Sequence, residues 1–168
     1  YIELAKQALD KNKTVLILVP EISLTPQITS RFFNNFGDTV TVVHSRMSAG
    51  ERFDSWRRVL SGKSKVVIGA RSALFAPLNK IGLIVVDEEH DASYKSFEMI
   101  PKYNARDAAV VLGNIFNCPV VLGSATPSIE SMYNAETGKY KLLSLFKRID
   151  DATCRIMSTK TLVCFFVD

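Results

Sequence analysis

The sequence predicts an α/β protein built on an open, mostly parallel sheet flanked by helices. Five apolar runs, Thr14–Val19, Val40–Val43, Lys65–Ile68, Ile81–Val86 and Pro119–Leu122, lack polar–apolar alternation. Each therefore suits a strand covered on both faces. The segments between most of them place apolar residues at helical spacing. Strand-like and helix-like segments alternate along the chain, and that order implies parallel strands joined by right-handed crossovers.

In the first helix, Ile2 to Leu9, residues Ile2, Ala5, Ala8 and Leu9 share one face. Pro20 stops the first strand. Thr25-Pro26 suits an N-cap followed by proline in the first turn, opening a helix that runs to Phe36. Ser48 with Glu51 three residues on has the spacing of a capping box. The helix it opens, to Leu60, puts Phe53, Trp56 and Leu60 on one face, which is expected to be core. Asn104 to Phe116 is helical through Ala108, Val111, Leu112 and Ile115, and Ser128 to Tyr133 is a shorter helix. His44, Lys63 and Lys65 are expected to be a hydrogen-bonded loop residue and two solvated lysines. From Asp151 to Asp168 the pattern breaks. That tail ends in the apolar run Leu162–Val167, which is an added strand, the start of a further segment or an altered end. Left uncovered, such a run invites aggregation.

The chain has 168 residues, enough for one domain or a domain plus tail, with 47% apolar and 23% charged residues. A net charge of +4 and a pI near 9.0 permit an anionic partner. No apolar stretch reaches the roughly 18 residues of a membrane span, so no membrane partner is expected. The first residues lack the pattern of a signal peptide, and the absence of an initiator Met predicts that the numbering begins inside a longer polypeptide. Cys118, Cys154 and Cys164 form no CxxC pair and no zinc pattern. They read as reduced thiols in a cytoplasmic protein, without a zinc site.

Ligands of doubly wound sheets bind beyond the carboxyl ends of the strands. There, Ile84-Val85-Val86 leads into Asp87-Glu88-Glu89-His90. Such a run is either a solvated acidic turn or the centre of phosphoryl-transfer chemistry. In the second case Asp87 faces Mg²⁺, Glu88 orients the attacking water, and His90 relays the nucleotide state. The next strand ends in Gly123-Ser124-Ala125-Thr126, whose hydroxyls can bond across to His90 or to a phosphate-bound water. Two polar loops from successive strands are expected neighbours, and that pairing favours the chemical reading. Ser61-Gly62-Lys63-Ser64 ends like a phosphate-binding P-loop, but the pattern's first glycine would fall at Arg57. The segment also follows a helix and precedes a strand, the reverse of a P-loop's context. It reads as a surface turn.

Four segments, taken in order, resemble successive motifs of superfamily 2 helicases. They are Val19-Pro20-Glu21-Ile22-Ser23-Leu24-Thr25-Pro26-Gln27, Gly69-Ala70-Arg71-Ser72-Ala73-Leu74-Phe75-Ala76-Pro77, Asp87-Glu88-Glu89-His90 and Gly123-Ser124-Ala125-Thr126-Pro127-Ser128. With Val43-His44-Ser45, Gly50-Glu51-Arg52 and Tyr103-Asn104-Ala105-Arg106-Asp107, the wording is similar to the bacterial replication-restart helicases over about Tyr1 to Ile149. The resemblance implies a RecA-like lobe of P-loop NTPase type over residues 1–150, its P-loop lying before Tyr1, and a tail over 151–168. It implies an ATP- and Mg²⁺-dependent 3′-to-5′ DNA helicase that restarts stalled forks in the bacterial cytoplasm.

By the same resemblance, Asp87 and Glu88 are the catalytic pair, with Asp87 on the Mg²⁺ of ATP, and Gly123, Ser124, Ala125 and Thr126 couple hydrolysis to DNA movement. Pro20, Thr25, Gln27, Gly69, Arg71 and Ser72 lie along the DNA backbone, and helix starts and small-residue loops suit phosphate contact. Tyr94, Lys95, Tyr103 and Arg106 belong to an aromatic-rich loop that senses DNA, unless its aromatics simply pack on the core. The implied partners are single-stranded and forked DNA, primosome proteins, single-stranded DNA-binding protein and a second motor lobe of the same chain. Without that lobe and the P-loop, these residues alone are expected not to turn over ATP. The competing readings are a non-catalytic nucleic-acid or protein-binding module derived from a helicase lobe, and another superfamily 2 motor.

Overall fold

The computed structural model describes residues 1–97, 101–145 and 162–167. In chain order the helices are α1 (Ile2–Asp10), α2 (Pro26–Phe36), α3 (Ala49–Leu60), α4 (Ala105–Phe116) and α5 (Ile129–Glu136). The strands are β1 (Thr14–Leu18), β2 (Val40–Val43), β3 (Val66–Gly69), β4 (Ile81–Asp87), β5 (Val120–Ser124), β6 (Lys141–Leu145) and β7 (Leu162–Val167). They form one sheet in the order β2-β3-β1-β4-β5-β7-β6. The first five strands are mutually parallel, as the sequence predicts. The apolar run at Leu162–Val167 adds an antiparallel strand between β5 and β6. Strand β6 falls where the sequence shows no distinct apolar run.

Each expected helix forms, and four of the five, all but α1, start at a side-chain cap. Thr25 accepts the Ile28 N–H at 3.4 Å, and Pro26 stands at the first helical position. Ser48 and Glu51 exchange both bonds of a capping box, at 2.8 and 3.2 Å. Asn104 caps α4 through the Arg106 N–H at 3.0 Å. Asn117 ends that helix in the left-handed region at φ 48°, a conformation asparagine tolerates better than most residues.

The strands are buried on both faces because successive side chains of an extended chain point to opposite sides. Val15, Ile17, Leu83, Val85 and Val121 meet Ala5 and Ala8 of α1 and Phe32 of α2 on one face. Leu16, Leu18, Ile84, Val86 and Leu122 meet Ala105 and Ala109 of α4 and Val59 of α3 on the other. Each such Val, Leu or Ile contributes about 1.5–3 kcal/mol relative to its exposed state.

One expectation fails here. Phe53, Trp56 and Leu60 are exposed at 63%, 40% and 59%, and Val59 is the buried residue of α3. The helix lies over the sheet's β2 edge, where one stripe suffices for contact, and the aromatic stripe faces outward.

The topology also sets the site. Strands β1 and β4 are adjacent, yet the helices that follow them, α2 and α4, pack on opposite faces. A crevice opens between their carboxyl ends, the usual ligand position in such sheets. Register brings the loops together there. Leu18 pairs with Gly69 and Val86, Val43 with Gly69, and Asp87 with Gly123.

Candidate functional site

Strand β4 ends at Asp87, a half-buried residue whose Oδ1 accepts the Tyr1 hydroxyl at 2.7 Å. The next residue, Glu88, has φ 47°. A non-glycine residue in that region costs about 1–3 kcal/mol and persists where its surroundings hold it. Here the hold comes from both sides: the Asp91 N–H donates to the Glu88 carbonyl at 2.8 Å, and the Glu89 N–H donates to the Gly123 carbonyl at 3.0 Å. The turn sends successive side chains in different directions. Glu88 and His90 face the rim, with Glu88 Oε2 3.6 Å from His90 Nδ1, while Glu89 enters the core at 2% exposure.

His90 bridges the two strand ends. Its Nδ1 lies 2.7 Å from Ser124 Oγ, and its Nε2 lies 3.3 Å from Thr126 Oγ1. Ser124 Oγ also accepts the Thr126 N–H at 3.0 Å, which shapes the loop so that both hydroxyls face one imidazole. A Cβ at Gly123 would meet the Tyr1 hydroxyl that reaches Asp87, so a larger residue there would have to displace that side chain.

The rest of the rim is a polar cleft of about 340 Å³ lined by Glu21, Ser45, Arg52, Arg71, Ser72 and Ser93. Glu21 accepts from both the N–H and the hydroxyl of Ser45. Arg71 Nη1 donates to the Lys95 carbonyl at 2.6 Å. Gly69 is required by closeness, because an added Cβ would meet the Val43 carbonyl. Thr25, Gln27, Ser72 and Lys95 are exposed along this edge, while Pro20 and Gly69 are buried and shape its turns.

The aromatic segment is arranged differently from a freely exposed loop. Tyr94 is 1% exposed, and its hydroxyl donates to the Asp87 carbonyl at 2.6 Å. Its ring is a core residue and in this position has no face to offer a base, which corrects the expectation for Tyr94. Burial first, and the carboxylates of Asp87, Asp91, Glu88 and Glu89 second, push its phenol far above the usual range. Tyr103 is half-buried and meets the exposed Phe75 edge-on, ring centroids 5.3 Å apart. Lys95 pairs with Asn104 in an antiparallel bridge, and the Ser96 N–H donates to the Tyr103 carbonyl at 2.8 Å.

Arg106 points inward rather than outward. Its Nη1 lies 3.1 Å from Glu89 Oε2 and 2.8 Å from Ser128 Oγ, and its Nε lies 2.8 Å from Asp107. Burial opposes its charge, but Asp107 and Glu89 more than offset this and hold the guanidinium above its ordinary pKa. Removing one partner of a buried ion pair costs about 3–5 kcal/mol. Glu89 went unrecognised in the sequence because it sits between two rim residues.

The site fits Mg²⁺ carried on a nucleotide. Mg²⁺ binds through one or two carboxylates together with phosphates and waters, and Asp87 offers hard oxygen at the strand edge beside Glu88. Among the described residues no group of three or more His, Cys, Asp or Glu side chains converges as a metal cage, and this mode of binding requires none.

An α/β sheet with an acidic strand end, whose following histidine bonds to a Ser-Ala-Thr loop on the next strand, fits a helicase-family domain. The DEAD/DEAH box helicase family matches residues 1–135, and the chain belongs to that family. Among curated proteins it is similar to Replication restart protein PriA of several bacteria. Identity to the Bacillus subtilis protein is 47% over 163 residues, covering 97% of this chain and 20% of that protein. For the Synechocystis protein it is 50% over 133 residues, covering 79% and 16%. For the Haemophilus influenzae protein it is 46% over 153 residues, covering 91% and 21%. The chain thus spans about a fifth of the length of the relatives it matches.

Proposed function

We propose that residues 1–150 are the first motor lobe of an ATP- and Mg²⁺-dependent 3′-to-5′ DNA helicase that restarts stalled replication forks and assembles the primosome. The observation that carries this reading is His90, whose ring lies 3.6 Å from Glu88 and within hydrogen-bond reach of both Ser124 and Thr126. Bound Mg²⁺ would neutralise the charge that develops on the transferred phosphoryl group. Asp87 would hold that ion. Glu88, turned to the rim by its left-handed backbone, would orient the attacking water and accept its proton. His90 would sense the change and pass it through the two hydroxyls to the loop after β5.

The polar cleft lies beside these residues, and its Arg71 and Ser72, with the exposed Thr25, Gln27 and Lys95 along the same edge, suit the backbone of single-stranded or forked DNA. Tyr103 with Phe75 supplies an aromatic surface nearby. Tyr94 and Arg106 would then serve DNA sensing from within, by holding that segment in place. Primosome proteins, single-stranded DNA-binding protein and a second motor lobe are the proposed partners, in the bacterial cytoplasm. Residues 151–168 are proposed as a tail or the start of a further segment, of which Leu162–Val167 extends the sheet. Residues 1–168 alone are proposed to be inactive in ATP turnover.

The test is ATP hydrolysis by the full-length protein that contains this segment, with and without single-stranded DNA. Turnover stimulated by DNA is expected, and Glu88→Gln should abolish it while ATP binding persists. Unchanged turnover in that variant would remove Glu88 from its role. No turnover in the wild-type protein would favour a non-catalytic binding module.

A further inference from the structure

Glu89 has no part in the chemistry assigned above, yet its carboxylate collects four donors. These are the Ser128 N–H at 2.6 Å, the Ser128 hydroxyl at 2.9 Å, the Ser131 hydroxyl at 2.9 Å and Arg106 Nη1 at 3.1 Å. The side chain is wholly buried, and Arg106 is only 11% exposed. A buried carboxylate is tolerable only when fully bonded. An apolar residue would often fill such a space at no loss of stability. The cluster's distinctive property is therefore which segments it joins.

The donors come from two directions. Ser128 and Ser131 follow the Ser124–Thr126 loop into α5. Arg106 stands in the first turn of α4, directly after the Tyr94–Tyr103 segment, whose ends are fastened by the Lys95–Asn104 bridge and the Ser96–Tyr103 bond. Glu89 itself lies between Glu88 and His90. A displacement of the first turn of α4 thus pulls on the residue between the two rim side chains. It also bears on Glu88, whose backbone is held off its preferred conformation by neighbouring bonds.

We infer that Glu89 is a positioning residue, a buried latch through which the first turn of α4, the acidic box and the start of α5 move as one body. The inference deepens the helicase reading and rests on it: DNA contact at the aromatic segment would set the geometry of Glu88 through Arg106 and Glu89. The charge on both partners matters because a charge-assisted bond resists stretching more than a neutral one.

The experiment measures the ratio of DNA-stimulated to DNA-independent ATP turnover in the full-length protein, for wild type, Glu89→Gln and Ser131→Ala. A merely structural role lowers the fraction of active protein, which reduces both rates together and leaves their ratio unchanged. Loss of coupling lowers the ratio itself. Glu89→Gln is expected to reduce it about tenfold, the effect of weakening a charge-assisted bond in the stimulated state. Ser131→Ala, which removes one donor and keeps the ion pair, should reduce it about threefold and decides the matter if Glu89→Gln does not fold. An unchanged ratio in both, or in Ser131→Ala when the other does not fold, overturns the latch and leaves the helicase reading standing. A wild-type protein without DNA-stimulated turnover overturns both.

Discussion

His90 Nδ1 stands 2.7 Å from Ser124 Oγ, a contact between residues 34 apart in sequence and fixed by the pairing of β4 with β5. Ser124 is fully buried, so its hydroxyl has little water to compete for the imidazole. If this bond transmits the nucleotide state, Ser124→Ala should uncouple hydrolysis from movement. In the full-length protein, unwinding is expected to fall about tenfold, equivalent to one lost hydrogen bond of about 1.4 kcal/mol. ATP turnover should change much less. Parallel unwinding and hydrolysis assays check this, and an equal fall in both would make Ser124 a support for catalysis instead.

The hydroxyl of Tyr1 occupies the space that a Cβ at Gly123 would need, and it donates to Asp87. Gly123→Ala should therefore displace Tyr1 and destabilise the lobe by about 1–3 kcal/mol, as overpacking does. The diagnostic is a double-mutant cycle in urea. With Tyr1→Ala already in place the same substitution should be nearly neutral, because the obstructing group is gone. Additive effects would show that Gly123 is required by something other than Tyr1.

The strands and most helix starts were legible because each depends on local information. Unbroken apolar runs such as Ile84-Val85-Val86 can be satisfied only between two layers, and Ser48 with Glu51 or Thr25 with Pro26 specify a helix start unaided. Side-chain direction was less legible. Phe53, Trp56 and Leu60 share a face, but only the position of α3 over the sheet decides that Val59 faces inward. Arg106 and Tyr94 look like surface groups in a polar loop until Glu89 and the Asp87 carbonyl are seen to receive them. The α3 result is testable. Phe53→Ser should alter stability by no more than about 0.5 kcal/mol, while Val59→Ala should cost about 2 kcal/mol. The reverse order in denaturant midpoints would mean that the aromatic stripe is covered in solution.

Tyr94 gives the lobe a dependence on alkaline pH. Its phenol titrates far above the ordinary 10.0, chiefly through burial and then through the nearby carboxylates. Between the unfolded and folded values the native state holds a proton that the unfolded chain releases. By linkage this stabilisation is complete below pH 10 and declines as pH rises beyond it. Tyr94→Phe removes both the bond to Asp87 and the titration. The variant should be less stable than wild type by about 1 kcal/mol at pH 8, and the difference should shrink or reverse by pH 11. Urea unfolding at the two values tests this, and a constant difference would mean that the phenol keeps an ordinary pKa.

If Arg71 acts on DNA as proposed, salt separates two ways in which it could do so. Its Nη1 donates to the Lys95 carbonyl, which suits pinning the aromatic segment, whereas its charge suits a phosphate. A carbonyl accepts a hydrogen bond without neutralising the guanidinium, and the residue lines the polar cleft. A phosphate contact releases counterions, and each one contributes about 0.7 to the slope of log affinity against log salt for single strands. Arg71→Gln should therefore weaken binding of an unstructured oligonucleotide and lower that slope by about 0.7. Arg71→Lys, which keeps the charge and loses the fork, should retain the slope. Fluorescence anisotropy between low and moderate salt measures both quantities on residues 1–168. A loss of affinity with an unchanged slope in Arg71→Gln would assign the residue to the segment it pins.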